Sequence, residues 1–388
     1  MRQITLPAVT SICLFSALFG AGSGSFACAQ LGQSASQSDK QSDSPGATWD
    51  SVAPESIGYS SLRFDALTSL LKTEHTTAMM VVVHGKVLYQ YGDVARVSTI
   101  ASIRKSVLGM LYGSYVFSEK IDLGKTVKEV GLNDVQPFLP IEESATLEHL
   151  LAGRSGIYIV PEKPDPRSSD AYQLRRGSEV PGTHFSYNEW DFNAAGTAFE
   201  KLTGKNIYDA LASDLAGPIG MQDFKRSLQV KADNHPFSVH AGYPMSLSTR
   251  DMARLGQLML RKGSWNGKQL IPVDWVRFST TLLTPFQDMN PTGFQEYTRP
   301  ERWGFGLMWW VWDEPTFLDH NWTGPYQGAF SAMGSGGQYI TVFPAADMVV
   351  VHKVDLDPYR GDVSTMQWDA ILNMVLAAYC EGNCPNTQ

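Results

Sequence analysis

The chain of 388 residues carries a formal net charge of −8 at pH 7, with 43% hydrophobic and 18% charged residues. This length is sufficient for a large core or two subdomains, and the composition is that of a soluble globular protein. The mild acidity argues against a nucleic-acid partner, which would select a basic surface.

The first 29 residues are predicted to be a signal peptide that is cleaved after Ala29. A basic start, Met1-Arg2, precedes an apolar stretch from Ile4 to Phe19, and Ala27-Cys28-Ala29 is a small-residue cleavage pattern. Export to the periplasm or to the medium follows from this interpretation, with no stable membrane span left after cleavage.

Two other interpretations of the amino terminus stay open. A membrane anchor would need a longer apolar run than this one, which Pro7 and several Ser and Thr interrupt. Lipidation at Cys28 would need a better lipobox than Ser25-Phe26-Ala27 provides. Residues 30–48 are rich in Ser, Gln and Gly, and they are predicted to form a flexible leader because they lack large apolar side chains to bury.

The folded domain is predicted to span residues 49–388. The predicted elements are, in chain order, two strands at 77–83 and 86–91 joined by His84-Gly85, helical patterns with irregular links from Ser102 to about Tyr243, a capped helix at 249–260, strands at 305–312, 338–343 and 348–352, and a last helix at 368–379. Strands at both ends predict an α/β part at about 49–105 and 245–388. A helical part at about 106–244 is inserted between them, with a cleft at the junction.

Ser102 and Lys105 lie one helical turn apart at the start of the apolar run Val107-Leu108-Gly109-Met110-Leu111. Residues i and i+3 of a helix share a face, so this amine can reach this hydroxyl. A serine becomes a nucleophile when a neighbour accepts its proton, and burial can lower the pKa of a lysine enough for it to accept that proton. Ser69 and Lys72 have the same spacing within an ordinary amphipathic helix, so spacing alone does not identify a site.

Two further stretches carry candidate residues for which plain structural interpretations also stay open. Tyr187 lies in a turn-rich loop that leads into a helix, where it is placed either to carry a proton or simply to fill the core. The glycine-rich stretch at 334–337 precedes a strand, and it either offers amide N–H groups to an oxyanion or forms an ordinary hairpin turn.

Other kinds of chemistry find little support. Cys380 and Cys384 are predicted to form a local disulfide in an oxidising compartment. The histidines show no metal-ligand spacing, so neither a metal nor a cofactor is expected. The chain has no Gly-x-Ser-x-Gly elbow, which argues against an α/β-hydrolase, and no Walker-type phosphate loop.

Four tryptophans, Trp303, Trp309, Trp310 and Trp312, cluster before the glycine-rich stretch. Successive side chains of a strand point to opposite faces, so some of these tryptophans would face the cleft and line an apolar acyl pocket. The alternative is that they only fill the hydrophobic core, as most such residues do.

The Ser-x-x-Lys, tyrosine and glycine-rich stretches, in this order, resemble the motif set of the serine beta-lactamase-related hydrolases. That group contains class C beta-lactamases, D-alanyl-D-alanine carboxypeptidases, related esterases and 6-aminohexanoate-oligomer hydrolases. The resemblance extends from about Trp49 to Tyr379 and includes the stretches 145–156 and 248–256. It implies an α+β fold of the beta-lactamase/transpeptidase type, with an antiparallel sheet flanked by helices and a mostly helical inserted subdomain.

The resemblance also implies roles for individual residues. Ser102 would be the nucleophile, Lys105 the group that shares or accepts its proton, and Tyr187 the relay to the leaving group. Backbone N–H groups of Ser102 and of the strand near Gly334 and Ser335 would hold the oxyanion. Either Lys105 or Tyr187 would be the base in acylation.

Two departures from the family pattern bear on the substrate. Relatives usually have Tyr-x-Asn, whereas Glu189 stands here in place of the asparagine, and an ionised Glu189 would favour protonated Lys105 and shift the work of the base to Tyr187. Beta-lactamases and carboxypeptidases place a cation in the third motif, where this chain has Ala332-Met333-Gly334. A contact to the substrate carboxylate is thereby lost.

The sequence therefore predicts an exported serine hydrolase that forms an acyl-enzyme with a small ester or amide and is not an efficient beta-lactamase. The alternative from another class is a binding or sensor protein of the same fold, non-catalytic or trapped as an acyl-enzyme. The substitution at Glu189 favours that alternative, and the retained Ser102, Lys105 and Tyr187 argue against it.

Overall fold

The computed structural model describes residues 44–161, 174–232, 237–289, 302–313, 324–356 and 361–380. The chain divides into two units, Met1–Gln41 and Ser42–Gln388, and all described residues belong to the second unit. The predicted signal peptide, most of the predicted leader and Cys384 lie outside the described residues. Within these ranges, no helix has both the length and the hydropathy that crossing a bilayer demands.

The strands are β1 Ala78–Val83, β2 Lys86–Gly92, β3 Ser98–Thr99, β4 Ser246–Leu247, β5 Ser264–Trp265, β6 Lys268–Gln269, β7 Trp303–Phe305, β8 Trp310–Trp312, β9 Phe330–Gly334, β10 Gln338–Phe343 and β11 Met348–Lys353. The α-helices are α1 Ser61–Leu71, α2 Ile103–Phe117, α3 Val127–Val130, α4 Leu147–Leu151, α5 Glu189–Thr203, α6 Ile207–Ala210, α7 Thr249–Leu260, α8 Val273–Ser279 and α9 Thr365–Ala377. Short 3-10 helices lie at Pro54–Ile57, Glu142–Ser144, Arg226–Leu228, Phe286–Asp288 and Pro344–Ala346, and a π-helical segment lies at Leu211–Ala216.

The main sheet is antiparallel and has the order β2-β1-β11-β10-β9-β8-β7 in the described part of the chain. The early strand β1 pairs with the late strand β11, with Val81 opposite Val350. The hairpin between β1 and β2 turns at His84 and Gly85, whose φ angles of 50° and 73° are those of a type I′ turn. Both ends of the domain therefore build one sheet, as the sequence predicts.

Helices cover both faces of this sheet, which is why its central strands are apolar on both sides. On one face, Trp368 of α9 stacks on Tyr339 of β10 with ring centroids 4.7 Å apart. On the other face, α7 approaches so closely that a Cβ atom on Gly256 would lie 2.5 Å from Val349 and 2.9 Å from Ile340.

The helices α2 to α6 form the segment between the early and the late strands. Asn188 caps the start of α5, because its side chain accepts a hydrogen bond from the amide of Asp191. Gly204, with a φ of 70°, follows the last residue of this helix and terminates it. Inside this part, the Tyr112 hydroxyl of α2 donates to the Ala195 carbonyl of α5 over 2.7 Å. The predicted α+β architecture, an antiparallel sheet flanked by helices with a mostly helical insertion, is confirmed.

The prediction of one continuous strand from Phe305 to Trp312 is wrong. The chain reverses between β7 and β8, which pair with Phe305 opposite Trp310. Met308 adopts a φ of 62° in the reversal, and a Cβ atom on Gly306 would lie 2.5 Å from a neighbouring carbonyl oxygen. The aromatic residues correctly predict strand structure, but this turn has none of the Asn-Gly or Pro signals that mark common hairpins.

Cys380 is disulfide-bonded. Its predicted partner Cys384 lies outside the described residues, so the pairing of these two cysteines stays a prediction.

Candidate active site

Ser102 immediately precedes α2, and its side chain accepts a hydrogen bond from the Lys105 ammonium nitrogen over 2.7 Å. The Lys105 side chain is only 2% exposed, so its charge lies away from solvent. Ala101 just before Ser102 has a φ of 47°, a left-handed conformation that costs a non-glycine residue about 1–3 kcal/mol. The chain thus enters α2 through a strained turn that presents the serine hydroxyl to the lysine.

The second Ser-x-x-Lys spacing serves as an internal comparison. Ser69 lies near the end of α1, and Lys72, directly after that helix, is exposed. The Ser69 hydroxyl donates to the Asp65 carbonyl of its own helix. Burial and neighbours, not spacing, distinguish the pair at Ser102.

Tyr187 joins this pair from the loop before α5. Lys105 Nζ lies 4.8 Å from the centroid of its ring, and the Ser102 side chain is near enough to its hydroxyl to lower the pKa of Tyr187 slightly. The ring packs against Trp310 and Phe305 at centroid distances of 5.5 and 5.8 Å. Burial, reinforced by the negative charge of a nearby carboxylate, raises the pKa of Tyr187 well above its usual value. The phenol is therefore held in its protonated form.

That carboxylate is Glu189, the first residue of α5. Its Oε1 accepts a hydrogen bond from Lys105, and its Oε2 accepts one from Arg104 over 2.5 Å. Burial would raise the pKa of Glu189, but the two cations outweigh it and lower the pKa to about 2. Glu189 is ionised at neutral pH and occupies the position next to the lysine where the family pattern has an asparagine.

Arg104 is a residue of this site that sequence reasoning did not single out. Its Nη2 also donates to Asn193 over 3.0 Å, and its guanidinium carbon lies 4.1 Å from the centroid of the Tyr243 ring. The sequence did contain a signal for Arg104. A buried glutamate in place of the usual asparagine adds a negative charge, which needs a positive charge besides Lys105 to balance it. Arg104, adjacent to Lys105, is the nearest candidate along the chain.

Gly334 ends β9 beside the backbone that leads into Ser102. A Cβ atom at this position would lie 2.6 Å from the Ile100 carbonyl oxygen and 3.1 Å from the Ser102 nitrogen. Only glycine allows the strand to pass this close, and Ser335 follows directly in the turn. This is the approach that an oxyanion hole shared by the Ser102 amide and the end of β9 requires.

The four clustered tryptophans divide between different surroundings. Trp310 packs against Tyr187 and is 6% exposed. Trp309 packs against Phe330, whereas Trp303 and Trp312 pack against each other. Trp310 is thus the member of the cluster that the structure places at the candidate site.

A second buried carboxyl lies close by on α5. Asp191 accepts a hydrogen bond from the Ser155 hydroxyl over 2.5 Å and fixes the loop after α4 to α5. Burial raises the pKa of Asp191 to about 8, and hydrogen bonds from Ser155 only partly offset this effect. Sequence reasoning did not single out Asp191 either.

Similarity to known proteins agrees with this architecture. Residues 65–362 match the family model described as beta-lactamase. The match covers most of the chain, and the protein belongs to the beta-lactamase family.

Several proteins to which this chain is similar are named as hydrolases. The 6-aminohexanoate-dimer hydrolase of Paenarthrobacter ureafaciens is 23% identical over 344 residues, which cover 81% of this chain and 80% of that protein. The structure of a Bacillus anthracis protein, provisionally named a 6-aminohexanoate-dimer hydrolase, is 21% identical with a TM-score of 0.59 and covers 89% of this chain and 90% of its own. A family VIII carboxylesterase is 15% identical with a TM-score of 0.59 and covers 86% of this chain and 99% of its own.

Proposed function

We propose that this protein is an exported serine hydrolase that cleaves an ester or amide through an acyl-enzyme. The observation that carries the proposal is the hydrogen bond from buried Lys105 to the Ser102 hydroxyl, with the ring of Tyr187 beside the same lysine. The similar proteins named as a 6-aminohexanoate-dimer hydrolase and a carboxylesterase support a substrate with a carbonyl centre of this kind. Export rests on the signal-like pattern of residues 1–29.

In the proposed reaction, Ser102 Oγ attacks the carbonyl carbon of the substrate and forms a tetrahedral intermediate. The negative charge that develops on the carbonyl oxygen is held by the Ser102 amide and by the amide after Gly334. Collapse of the intermediate expels the alcohol or amine, to which Tyr187 relays a proton. Water then attacks the acyl-enzyme and releases the acid.

The proton of Ser102 must pass to Lys105 or to Tyr187. Because Glu189 is ionised, it favours the ammonium form of Lys105, and burial favours the phenol form of Tyr187. Neither form accepts a proton, so the pair must first lose one to become a base. We therefore expect acylation to accelerate as pH rises above neutrality, whichever residue finally accepts the proton.

The third motif limits the substrate. Ala332, Met333 and Gly334 stand where beta-lactamases and carboxypeptidases carry a cation, so a substrate carboxylate gains no charge-assisted contact there. Uncharged esters and amides are the better substrates, and Trp310 offers them an apolar wall.

A second candidate function is a binding or sensor protein that becomes acylated without turnover. The contact of Glu189 with Lys105 favours it, because a lysine held as an ammonium ion cannot activate water in deacylation.

Treatment of the purified protein and of Ser102→Ala with a fluorophosphonate probe and short p-nitrophenyl esters tests these proposals. Labelling and turnover that disappear in Ser102→Ala would establish the hydrolase, whereas labelling without turnover would support the sensor. Wild-type protein that is not labelled at any pH would refute both. Lys72→Ala is the matched control, because that lysine is exposed at the second Ser-x-x-Lys spacing, and we expect it to behave as wild type.

A further inference from the structure

Arg104 and Lys105 are consecutive residues of α2 that bind opposite oxygens of one carboxylate. Lys105 donates to Oε1 of Glu189 and Arg104 donates to Oε2. Because successive residues of a helix are separated by about 100°, the two side chains reach the carboxylate from different sides. Glu189 therefore binds two cations: Lys105, which also contacts Ser102, and Arg104.

The structure holds Arg104 firmly in this arrangement. Its side chain is only 9% exposed, its Nη2 also donates to Asn193, and its guanidinium stacks on the ring of Tyr243. An exposed arginine would contribute little at this distance because water screens it, but a buried guanidinium acts at nearly full strength. Its position is determined by two contacts besides the carboxylate, so it does not depend on Glu189 alone.

We propose that Arg104 is a positioning residue that balances the charge of Glu189, so that Lys105 experiences surroundings close to those of a neutral amide at position 189. This inference rests on the proposed hydrolase function of the same site. Glu189 without Arg104 would bind the ammonium form of Lys105 too strongly for it to release a proton. Arg104 without Glu189 would repel that ammonium form.

Polar and aromatic groups from several elements face this cluster. They are Ser102 on the turn before α2, Tyr187 before α5, Asn193 and Phe192 on α5, Tyr208 on α6 and Tyr243 before β4. The tyrosines are neutral phenols up to high pH because burial raises the pKa of each. Among the charged groups, Glu189 therefore contacts Lys105 directly and Arg104 acts through Glu189, whereas Asp191, two residues further along α5, gains its charge only near pH 8.

The proposal predicts shifts of opposite sign for the two single substitutions. Arg104→Met retains length and packing but leaves Glu189 unbalanced, so the midpoint of the Lys105 titration should rise by about 1 pH unit or more. Glu189→Gln leaves Arg104 unbalanced, so the midpoint should fall by a similar amount. The titration midpoint of the double variant should lie between those of the two single variants. Arg104→Lys retains the charge, so its midpoint should stay near that of wild type.

The midpoint can be read directly by NMR titration of protein that carries ¹³Cε-labelled lysine, with the Lys105 signal identified by its loss in Lys105→Met. If the wild-type midpoint lies beyond the stable pH range, the comparison is made in the Glu189→Gln background, where removal of Arg104 should raise it. The rate of fluorophosphonate labelling against pH is measured on the same variants and should follow the same order.

Shifts of the same sign in both single variants, or no effect of Arg104→Met in either background, would overturn the inference. A purely structural role of Arg104 would lower the stability without producing this reversal of sign. The NMR titration does not depend on activity. Failure of labelling in wild type would therefore refute the proposed function while the titration still decides the role of Arg104.

Discussion

Asp191 provides a stability test that is independent of catalysis. Burial raises its pKa from 3.8 to about 8, so the folded protein binds this proton far more tightly than the unfolded chain does. A group whose pKa is raised by folding contributes its full stability below the unfolded value, and this contribution is lost as pH rises through the folded value. Wild-type protein should therefore lose stability steadily between about pH 4 and pH 8 because of this residue.

Asp191→Asn removes the ionisation while retaining an oxygen that can accept the hydrogen bond from Ser155. Each tenfold change in proton affinity corresponds to about 1.4 kcal/mol. The free energy of unfolding of the variant should thus equal that of wild type near pH 4. Above pH 4, the difference between the two should grow by about 1.4 kcal/mol per pH unit in favour of the variant. The difference should reach about 5 kcal/mol near pH 8.

Urea denaturation followed by tryptophan fluorescence at several pH values between 4 and 9 measures this difference. Contributions of other titrating groups cancel when the variant is compared with wild type at each pH. Asp65→Asn is the control, because Asp65 is exposed on α1 and its substitution should change the free energy of unfolding only slightly. A difference between Asp191→Asn and wild type that does not change with pH would refute the reasoning.

Three further predictions concern catalysis. Gly334→Ala should lower the rate of ester turnover about 100-fold or more, because the added methyl group would displace the Ser102 amide. Gly46→Ala is the control and should leave the rate unchanged, because a Cβ atom at Gly46 has its nearest neighbour 4.0 Å away. Tyr187→Phe should slow labelling by about 100-fold to 10,000-fold while the thermal midpoint stays close to wild type, because the ring packing is retained. Nitrocefin should be hydrolysed far more slowly than p-nitrophenyl acetate, and nitrocefin turnover at the level of a true beta-lactamase would contradict the interpretation of the third motif.

Local patterns predicted the parts of the structure that depend on neighbouring residues. The β-branched runs of β1, β10 and β11 identify strands, and the spacing of Ser102 and Lys105 places two side chains on one face of a helix. The order of the motifs along the chain led to Tyr187, and the structure places its ring beside Lys105.

Long-range contacts could not be predicted in this way. Arg104 binds a carboxylate 85 residues away in the sequence, and Asp191 binds a serine 36 residues away. The importance of each residue depends on burial and on a specific partner, neither of which has a periodic signature in one sequence. The hairpin of β7 and β8 was missed for a similar reason, because its turn lacks the usual sequence signals and lies close to the carbonyl groups of Ser279 and Thr281, which precede β7 in the chain.

The two buried carboxyl groups at the start of α5 are only two residues apart, yet their surroundings drive their pKa values in opposite directions. Two cations lower the pKa of Glu189 to about 2, whereas burial raises the pKa of Asp191 to about 8 despite the hydrogen bond from Ser155. At neutral pH, Glu189 carries a charge and Asp191 does not. A rise in pH that helps the Lys105 and Tyr187 pair to lose its proton also begins to ionise Asp191 and to weaken the fold. We therefore expect the pH range of the proposed hydrolase activity to be limited by catalysis on the acid side and by stability on the alkaline side, and Asp191→Asn should extend only the alkaline limit.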